Sequence, residues 1–391
     1  MPERFVFASA PSRVYWEITR SCDLACRHCR AEAAPHCDPG ELSTEAGLRL
    51  LRQLAAGEPR PHVILTGGDP LKRADLFELI AAARALGMGV SVSPSATPLL
   101  TDEAIARLHA AGVEAISLSL DGADAARHDD IRQVPGCFDR TLASGRKARE
   151  VGLPFQVNTL VSQETVDEMP EIEALARSIG ASRWSLFFLV TVGRGTVLNP
   201  ISGERAEELL TWLARRAREP GMVLTTTEAP HYRRIVMEQR LHDPAGPPAN
   251  APRVGNGHPH AHPHAAGAGI RDGNGVMFIS NEGEVFPSGF LQMSAGNVTR
   301  EDPIAIYQNA ELFRVLRAAD SFGGRCGHCT YRSVCGGSRA RAWAATGDPL
   351  AEDPLCTFQP MLHAQAHHPA AAAALVQPQI ALDHGHLPVV R

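Results

Sequence analysis

The 391-residue chain has no block of basic residues, and 38 Lys and Arg stand against 43 Asp and Glu for a net charge of −5. A nucleic-acid binder carries a basic patch or stripe, so nucleic acid is excluded as the main partner. No apolar stretch approaches the length that spans a bilayer, so no membrane span is expected. The first residues, Met-Pro-Glu-Arg-Phe, lack the basic and then apolar run of a secretory signal. No internal repeat is evident. The nine cysteines are an odd number, and seven of them fall in two tight clusters, which speaks against a disulfide scaffold. A cytoplasmic, reducing location is therefore expected. An apolar content of 44% is ordinary for a globular chain, so a sizeable core is available. The length allows two or three domains.

The first cluster is Cys22-Asp-Leu-Ala-Cys26-Arg-His-Cys29, a C-x3-C-x2-C run. Three thiolates can hold three corners of a [4Fe–4S] cube, and such clusters normally take four cysteines. One iron is then left open, and an open position distinguishes a catalytic metal site from a structural one. A zinc knuckle or three free thiols are the plainer readings.

From about residue 12 to 200, strand and helix signals alternate. Val14–Thr19, Val63–Thr66, Met88–Ser93, Ala115–Leu120, Phe155–Leu160 and Trp184–Val190 read as strands. Between them lie runs of helical period such as Thr101–Ala111, which opens on a Thr cap with an acidic first turn and stops at Gly112. Strands alternating with helices imply βαβ units and a parallel sheet, hence an α/β fold. The cysteine loop, Gly67-Gly68-Asp69-Pro70 and Asp121 all follow strands and so belong to one rim. Gly203–Arg218, Met222–Thr227 and Tyr232–Leu241 form a bridge, and residues 243–268 read as a Pro, Gly, Ala and His linker. Asn281-Glu282-Gly283 reads as the turn of a hairpin between Val276–Ser280 and Glu284–Pro287.

A second cluster, Cys326, Cys329, Cys335 and Cys356, has the spacing C-x2-C-x5-C-x20-C. Four cysteines make a closed site, which suits a zinc ribbon or a fully ligated iron–sulfur cluster. Cys137 reads as a core residue and Cys37 as incidental. The histidines at His258–His264 read as part of the solvated linker.

The first motif resembles the signature of the radical S-adenosylmethionine (SAM) superfamily, with His28 where that family often has an aromatic residue. The resemblance implies that SAM chelates the open iron, that the cluster's electron breaks the sulfonium, and that a 5′-deoxyadenosyl radical takes hydrogen from substrate. It implies an open, partial (β/α)6 TIM barrel. Gly67, Gly68 and Asp69 match the family's Gly-Gly-Glu-Pro turn, which contacts the SAM amino group, with Asp for Glu. Ser93 and Ser95 stand where relatives bind the SAM carboxylate or ribose. Ser119 and Asp121 resemble a fourth-strand motif that continues through His128, Asp129 and Arg132, and Asn158 is a further polar candidate.

The second cluster, following such a motif, resembles the SPASM/twitch extensions that carry auxiliary clusters. Ser288 and Arg339 stand where fuller relatives have cysteine, so one auxiliary [4Fe–4S] cluster is implied, on Cys326, Cys329, Cys335 and Cys356. The implied division is a barrel over 12–200, a bridge and linker over 201–268, a SPASM/twitch-like domain over 269–360 and a disordered tail over 361–391. The resemblance implies an enzyme that modifies a ribosomal peptide, or alternatively a tetrapyrrole side chain of the haem or haem d1 type. A reductant such as flavodoxin or ferredoxin is an implied partner. A non-catalytic metal scaffold is the reading from another class.

Overall fold

The sheet begins with Arg13–Thr19 (β1), in which Val14, Trp16 and Ile18 are fully buried while Arg13 and Tyr15 point the other way. Successive strand residues face opposite sides, so this alternation fixes one apolar face and one polar face. The same pattern recurs in His62–Gly67 (β2), Val90–Val92 (β3), Ala115–Ser119 (β4), Phe155–Val161 (β5), Arg183–Phe188 (β6) and Val223–Thr227 (β7). Val63, Leu65, Val90, Val92, Ile116, Leu118, Phe155, Val157, Trp184 and Leu186 enter the core. Their alternates are His62, Thr66, Ser91, Ser117, Ser119, Gln156, Asn158, Arg183, Ser185 and Thr225, which line a cavity. A filled βα barrel packs apolar layers inside. Here the main apolar core lies under the helices, and the barrel interior mixes polar strand residues with Tyr15, Ile64, Phe187 and Phe278. The computed structural model describes residues 6–242 and 269–360.

The helices covering the outer face are Thr44–Ala55 (α1), Leu76–Ala85 (α2), Asp102–Ala110 (α3), Ala125–Arg132 (α4), Cys137–Glu150 (α5), Met169–Ile179 (α6) and Gly203–Arg216 (α7). Four of the seven start on a side-chain cap. Ser43, Thr101, Asp124 and Ser202 accept a hydrogen bond from a first-turn N–H of α1, α3, α4 and α7. Such caps are worth about 1 kcal/mol apiece. α1 turns Leu50, Leu51 and Leu54 into the core.

The sheet order departs from the sequence reading at both ends. Among the described residues, ten strands form one sheet in the order β10-β9-β8-β1-β2-β3-β4-β5-β6-β7, with β8 as Val276–Ile279, β9 as Glu284–Phe286 and β10 as Gly296–Asn297. β7, read from sequence as part of a bridge, pairs parallel with β6 over Arg183↔Val223 to Phe187↔Thr227. β8, read as one arm of a separate hairpin, pairs parallel with β1 from Arg13↔Val276 to Trp16↔Ile279. The physical reason is edge satisfaction: β1 and β6 would otherwise present unpaired backbone groups. The β8–β9 hairpin does form, with Phe278 opposite Phe286.

Tyr232–His242 (α8) follows β7. Pro303–Asn309 (α9), Glu311–Arg317 (α10), Gly324–His328 (α11) and Arg339–Thr346 (α12) complete the chain. The expected linker over 243–268, its histidines at 258–264 and the tail over 361–391 lie outside the described residues.

Candidate functional site

β1 ends at Thr19 and delivers the chain to Cys22, Cys26 and Cys29, which all line the barrel cavity of about 440 Å³. The loop is braced on every side. Cys22 N–H donates to Ala34 O (2.8 Å) and Arg27 N–H to Ile131 O (2.9 Å). Arg194, just beyond β6, clamps the loop's other flank. Its backbone N–H donates to Cys29 O (3.0 Å), its Nε to Cys26 O (3.0 Å) and its Nη1 to Ala33 O (3.0 Å). No sequence motif announced Arg194.

Every sulfur of this loop has a polar neighbour. Leu24 N–H donates to Cys22 Sγ (3.4 Å), Ala33 N–H to Cys29 Sγ (3.4 Å) and Arg132 Nη1 to Cys26 Sγ (3.5 Å). Ser95 Oγ lies 3.6 Å from Cys22 Sγ. Donors aimed at sulfur favour thiolate, the form that binds iron and whose hydrogen bonds tune a cluster's potential. Burial alone pushes the Cys22 and Cys26 thiols upward. A cationic cluster would supply what holds them ionised.

Gly67 and Gly68 are dictated first by the fold. At Gly67 φ is 138°, and a Cβ would come within 2.1 Å of Thr19 O. A Cβ on Gly68 would come within 2.4 Å of Ser21 O. The turn therefore lies directly against the chain entering the cysteine loop, and both glycines also line the cavity. Asp69 is placed differently from its neighbours. Its carboxylate accepts from Leu71 N–H (3.1 Å), Ser95 N–H (3.3 Å) and Thr97 Oγ1 (2.7 Å), is fully buried, and is not among the cavity-lining residues. It braces the turn against the segment after β3 rather than facing a ligand.

Ser93, Ser95, Ser119, Asp121 and Asn158 all line the cavity. Ser95 Oγ donates to Gly68 O (2.8 Å) and Asn158 Oδ1 accepts from Gln156 Nε2 (2.5 Å). Asp121 accepts from Leu160 N–H (2.7 Å) and forms an ion pair with Arg132. Burial is the largest influence and works to raise its carboxyl, but Arg132, His28, His128 and the Leu160 N–H together outweigh it and hold Asp121 below the usual carboxylate range. Asp121 N–H in turn donates to His128 Nδ1 (3.0 Å). His28 also lines the cavity. Burial, reinforced by Arg132, pushes it down to about 4, so its ring is neutral near pH 7.

Arg132 thus joins the buried carboxylate to a loop sulfur. Removing one partner of a buried ion pair costs roughly 3–5 kcal/mol. Arg132→Gln should lower the thermal unfolding midpoint of metal-loaded protein by several degrees, and an unchanged midpoint would refute the pairing. The sign in pH follows from Asp121. Its folded value lies below its unfolded one, so the pair's stability is present near neutrality and is lost as pH falls through the folded value. The variant should lose less stability than the parent on acidification.

The second cysteine set surrounds a cavity of about 30 Å³ lined by Cys326, Cys329, Cys335 and Cys356. Donors again meet each sulfur. Tyr331 N–H donates to Cys329 (3.4 Å), Gly337 N–H to Cys335 (3.4 Å) and the Phe358 backbone to Cys356. Cys326 receives Asp353 N–H (3.5 Å) and Arg339 Nη2 (3.6 Å). Arg339 is fully buried and also holds Ala351 O (2.6 Å) and Pro349 O (3.2 Å), so it ties the loop before Cys356 to the site. Ser288 instead lines the barrel cavity.

Burial drives the Cys335 thiol up to about 12 and Cys356 up to about 11. Among the described residues, no three His, Cys, Asp or Glu side chains converge on one point as ligands of a single ion would. All nine cysteines are free of disulfides. Cys137 is buried against Ala96 O (3.8 Å), and Cys37 is exposed.

With this geometry in view, likeness to known proteins can be placed on it. Residues 16–176 match the family model of the Radical SAM superfamily. The chain is 40% identical over 349 residues to an AdoMet-dependent heme synthase of Oleidesulfovibrio alaskensis, covering 89% of this chain and 87% of that protein. It is 30% identical over 357 residues to the mycofactocin maturase MftC of Mycolicibacterium smegmatis, covering 89% and 83%. Among solved structures, Streptococcus suis SuiB bound to S-adenosylmethionine shares the fold with a TM-score of 0.64 at 16% identity, covering 90% of this chain and 78% of that one. Among the described residues, no helix is long and apolar enough to cross a membrane.

Proposed function

This chain belongs to the radical SAM superfamily, whose enzymes use a [4Fe–4S] cluster and S-adenosylmethionine, and we propose that it acts on a tetrapyrrole side chain in the making of haem. The observation that carries this reading is the 40% identity to a heme synthase across most of both chains. The maturase is more distant at 30%, and the likeness to SuiB supports the fold alone. The peptide substrate expected from sequence therefore gives way to its alternative.

The polar, arginine-bearing barrel interior suits a large ligand rich in carboxylates. Cys22, Cys26 and Cys29 would hold the SAM-binding cluster, and Cys326, Cys329, Cys335 and Cys356 an auxiliary one. A reduced cluster held by Cys22, Cys26 and Cys29 would supply the electron for reductive cleavage of SAM.

The chain's own part is positioning and shielding. Gly67 and Gly68 would present backbone to the methionine portion of SAM, with Ser93, Ser95, Ser119, Asp121 and Asn158 around the rest. Arg132 and the loop N–H groups hold the sulfurs as acceptors. The buried lining of Leu24, Ala96 and Leu189 limits water beside the cysteine loop. Electrons would come from a flavodoxin- or ferredoxin-type donor, and the free cysteines suit the cytosol.

Anaerobic, cluster-loaded protein given dithionite, SAM and Fe-coproporphyrin III should form haem and 5′-deoxyadenosine together, read by mass spectrometry. Accelerated SAM cleavage with a precursor peptide and none with the tetrapyrrole would turn the assignment back to a maturase.

A further inference from the structure

Three cavity-lining arginines lie where the barrel meets the C-terminal segment. Arg13 stands at the foot of β1, opposite Val276 of β8. Arg233 comes from the first turn of α8, and Arg271 from the segment leading into β8. Two other cavity arginines have acidic partners: Arg30 pairs with Glu17 (3.0 Å) and Arg132 with Asp121. Among the described residues, none of Arg13, Arg233 and Arg271 forms an ion pair.

Arg233 spends its Nη1 and Nη2 on the carbonyls of Val334 (3.1 Å) and Ile270 (2.5 Å). Arg271 spends its own on Gly269, Leu316 and Arg317 carbonyls (3.1, 3.2 and 3.2 Å). Each is 7% exposed, and each leaves a buried Nε with no partner.

The acids nearby neutralise this group only in part, with Asp272 acting on Arg271. Asp272 is occupied by the N–H groups of Arg339 (2.9 Å) and Ala340 (3.0 Å) at the start of α12. Glu228 accepts from Ser338 Oγ (2.5 Å), and burial followed by Asp272 pushes its carboxyl well upward, toward the neutral form. The cations also feel one another. Burial, only partly offset by Cys335, pushes Arg233 down to about 10, and Arg13 adds to the fall. Burial, then Arg339 and Arg233, pushes Arg271 down to about 9. Buried like charges side by side are costly, and an anion in the cavity relieves that cost.

We propose that Arg13, Arg233 and Arg271 form a carboxylate-binding wall that grips peripheral carboxylates of the substrate away from the reacting side chain. The Arg13 guanidinium matches a carboxylate in shape and donor spacing and so fixes orientation, while Arg233 and Arg271, whose Nη atoms already hold carbonyls, add positive charge beside it. The inference rests on the tetrapyrrole reading above and adds where and by what the substrate is held. The arginines act by positioning, since the geometry links them to no reacting atom.

The test is equilibrium binding to cluster-loaded protein with two probes, Fe-coproporphyrin III and its tetramethyl ester. The parent should bind the acid at least about tenfold more tightly than the ester, the scale of one lost charged hydrogen bond. Arg13→Gln is the informative variant, because the Arg13 side chain holds no structural carbonyl. It should raise the Kd of the acid by about tenfold and leave the ester unchanged, with iron content intact. Arg13→Lys should recover part of the loss. Equal affinity for acid and ester in the parent, or an unchanged Kd in Arg13→Gln, overturns the wall and leaves the tetrapyrrole reading standing. A parent that binds neither probe overturns both. The acid-against-ester comparison needs no variant, so it stands even where a substitution impairs folding.

Discussion

The triple variant Cys22→Ala, Cys26→Ala, Cys29→Ala should hold about four irons where the parent holds about eight, and should form no 5′-deoxyadenosine. The expectation rests on three sulfurs that share one cavity wall and each have a hydrogen-bond donor. Of the other cysteines, Cys137 also lines this cavity and packs with Cys22 and Cys26. Cys137 is buried against Ala96 O, Cys37 is exposed, and the remaining four line a separate cavity. Iron and acid-labile sulfide assays on anaerobically reconstituted protein give the first number, and chromatography of the SAM products gives the second. Full SAM cleavage by the triple variant would remove the cysteine loop from the mechanism. Stoichiometric zinc without sulfide in the parent would do the same to the whole iron–sulfur assignment.

Cys335→Ala should also cost about four irons, but with a different functional pattern. Cys335 is buried, and its neighbours reach far. Arg233 and Arg271 bridge its surroundings to the barrel cavity, and Arg339 joins Cys326 to the segment before Cys356. Metal binding at a site of this kind contributes folding free energy directly. Loss of the ligand should therefore expose residues 320–360 to limited proteolysis and lower the unfolding temperature. SAM cleavage without substrate should survive in part, because it uses the other cysteines, while conversion of the tetrapyrrole falls steeply. A normal proteolytic pattern with lost turnover would assign the second cluster to electron relay. A Cys356→Ala protein with both clusters and full turnover would show that Cys356 is not the fourth ligand.

Much of the site was legible because its chemistry is local. Cys22, Cys26 and Cys29 lie within one short loop, and their spacing alone places three sulfurs together. Gly67 and Gly68 were legible as a turn needing no side chain, although the atoms they must avoid proved to be Thr19 O and Ser21 O. The alternation in Ser117-Leu118-Ser119 and Gln156-Val157-Asn158 already wrote a strand with one polar face. What it could not say is which face points inward, since period two is the same for a polar interior and a polar exterior.

Other features depended on contacts between distant parts of the chain. Asp69 matches a motif position, yet its carboxylate is consumed by Leu71, Ser95 and Thr97, and only the fold of the segment after β3 reveals that. Arg194 belongs to no motif and reaches the cysteine loop across more than 160 residues. β7 and β8 are short strands that flanking sequence assigned to a bridge and a hairpin, and edge pairing with β6 and β1 drew them into the barrel.

The sequence by itself determined the family, the α/β alternation and the two sets of sulfurs, because each is carried by neighbours in the chain. The tertiary structure alone decided that the polar strand face turns into the barrel and that Arg13, Arg233 and Arg271 share that interior. Those residues are brought together by strand pairing and helix docking, whose long-range contacts no local spacing encodes.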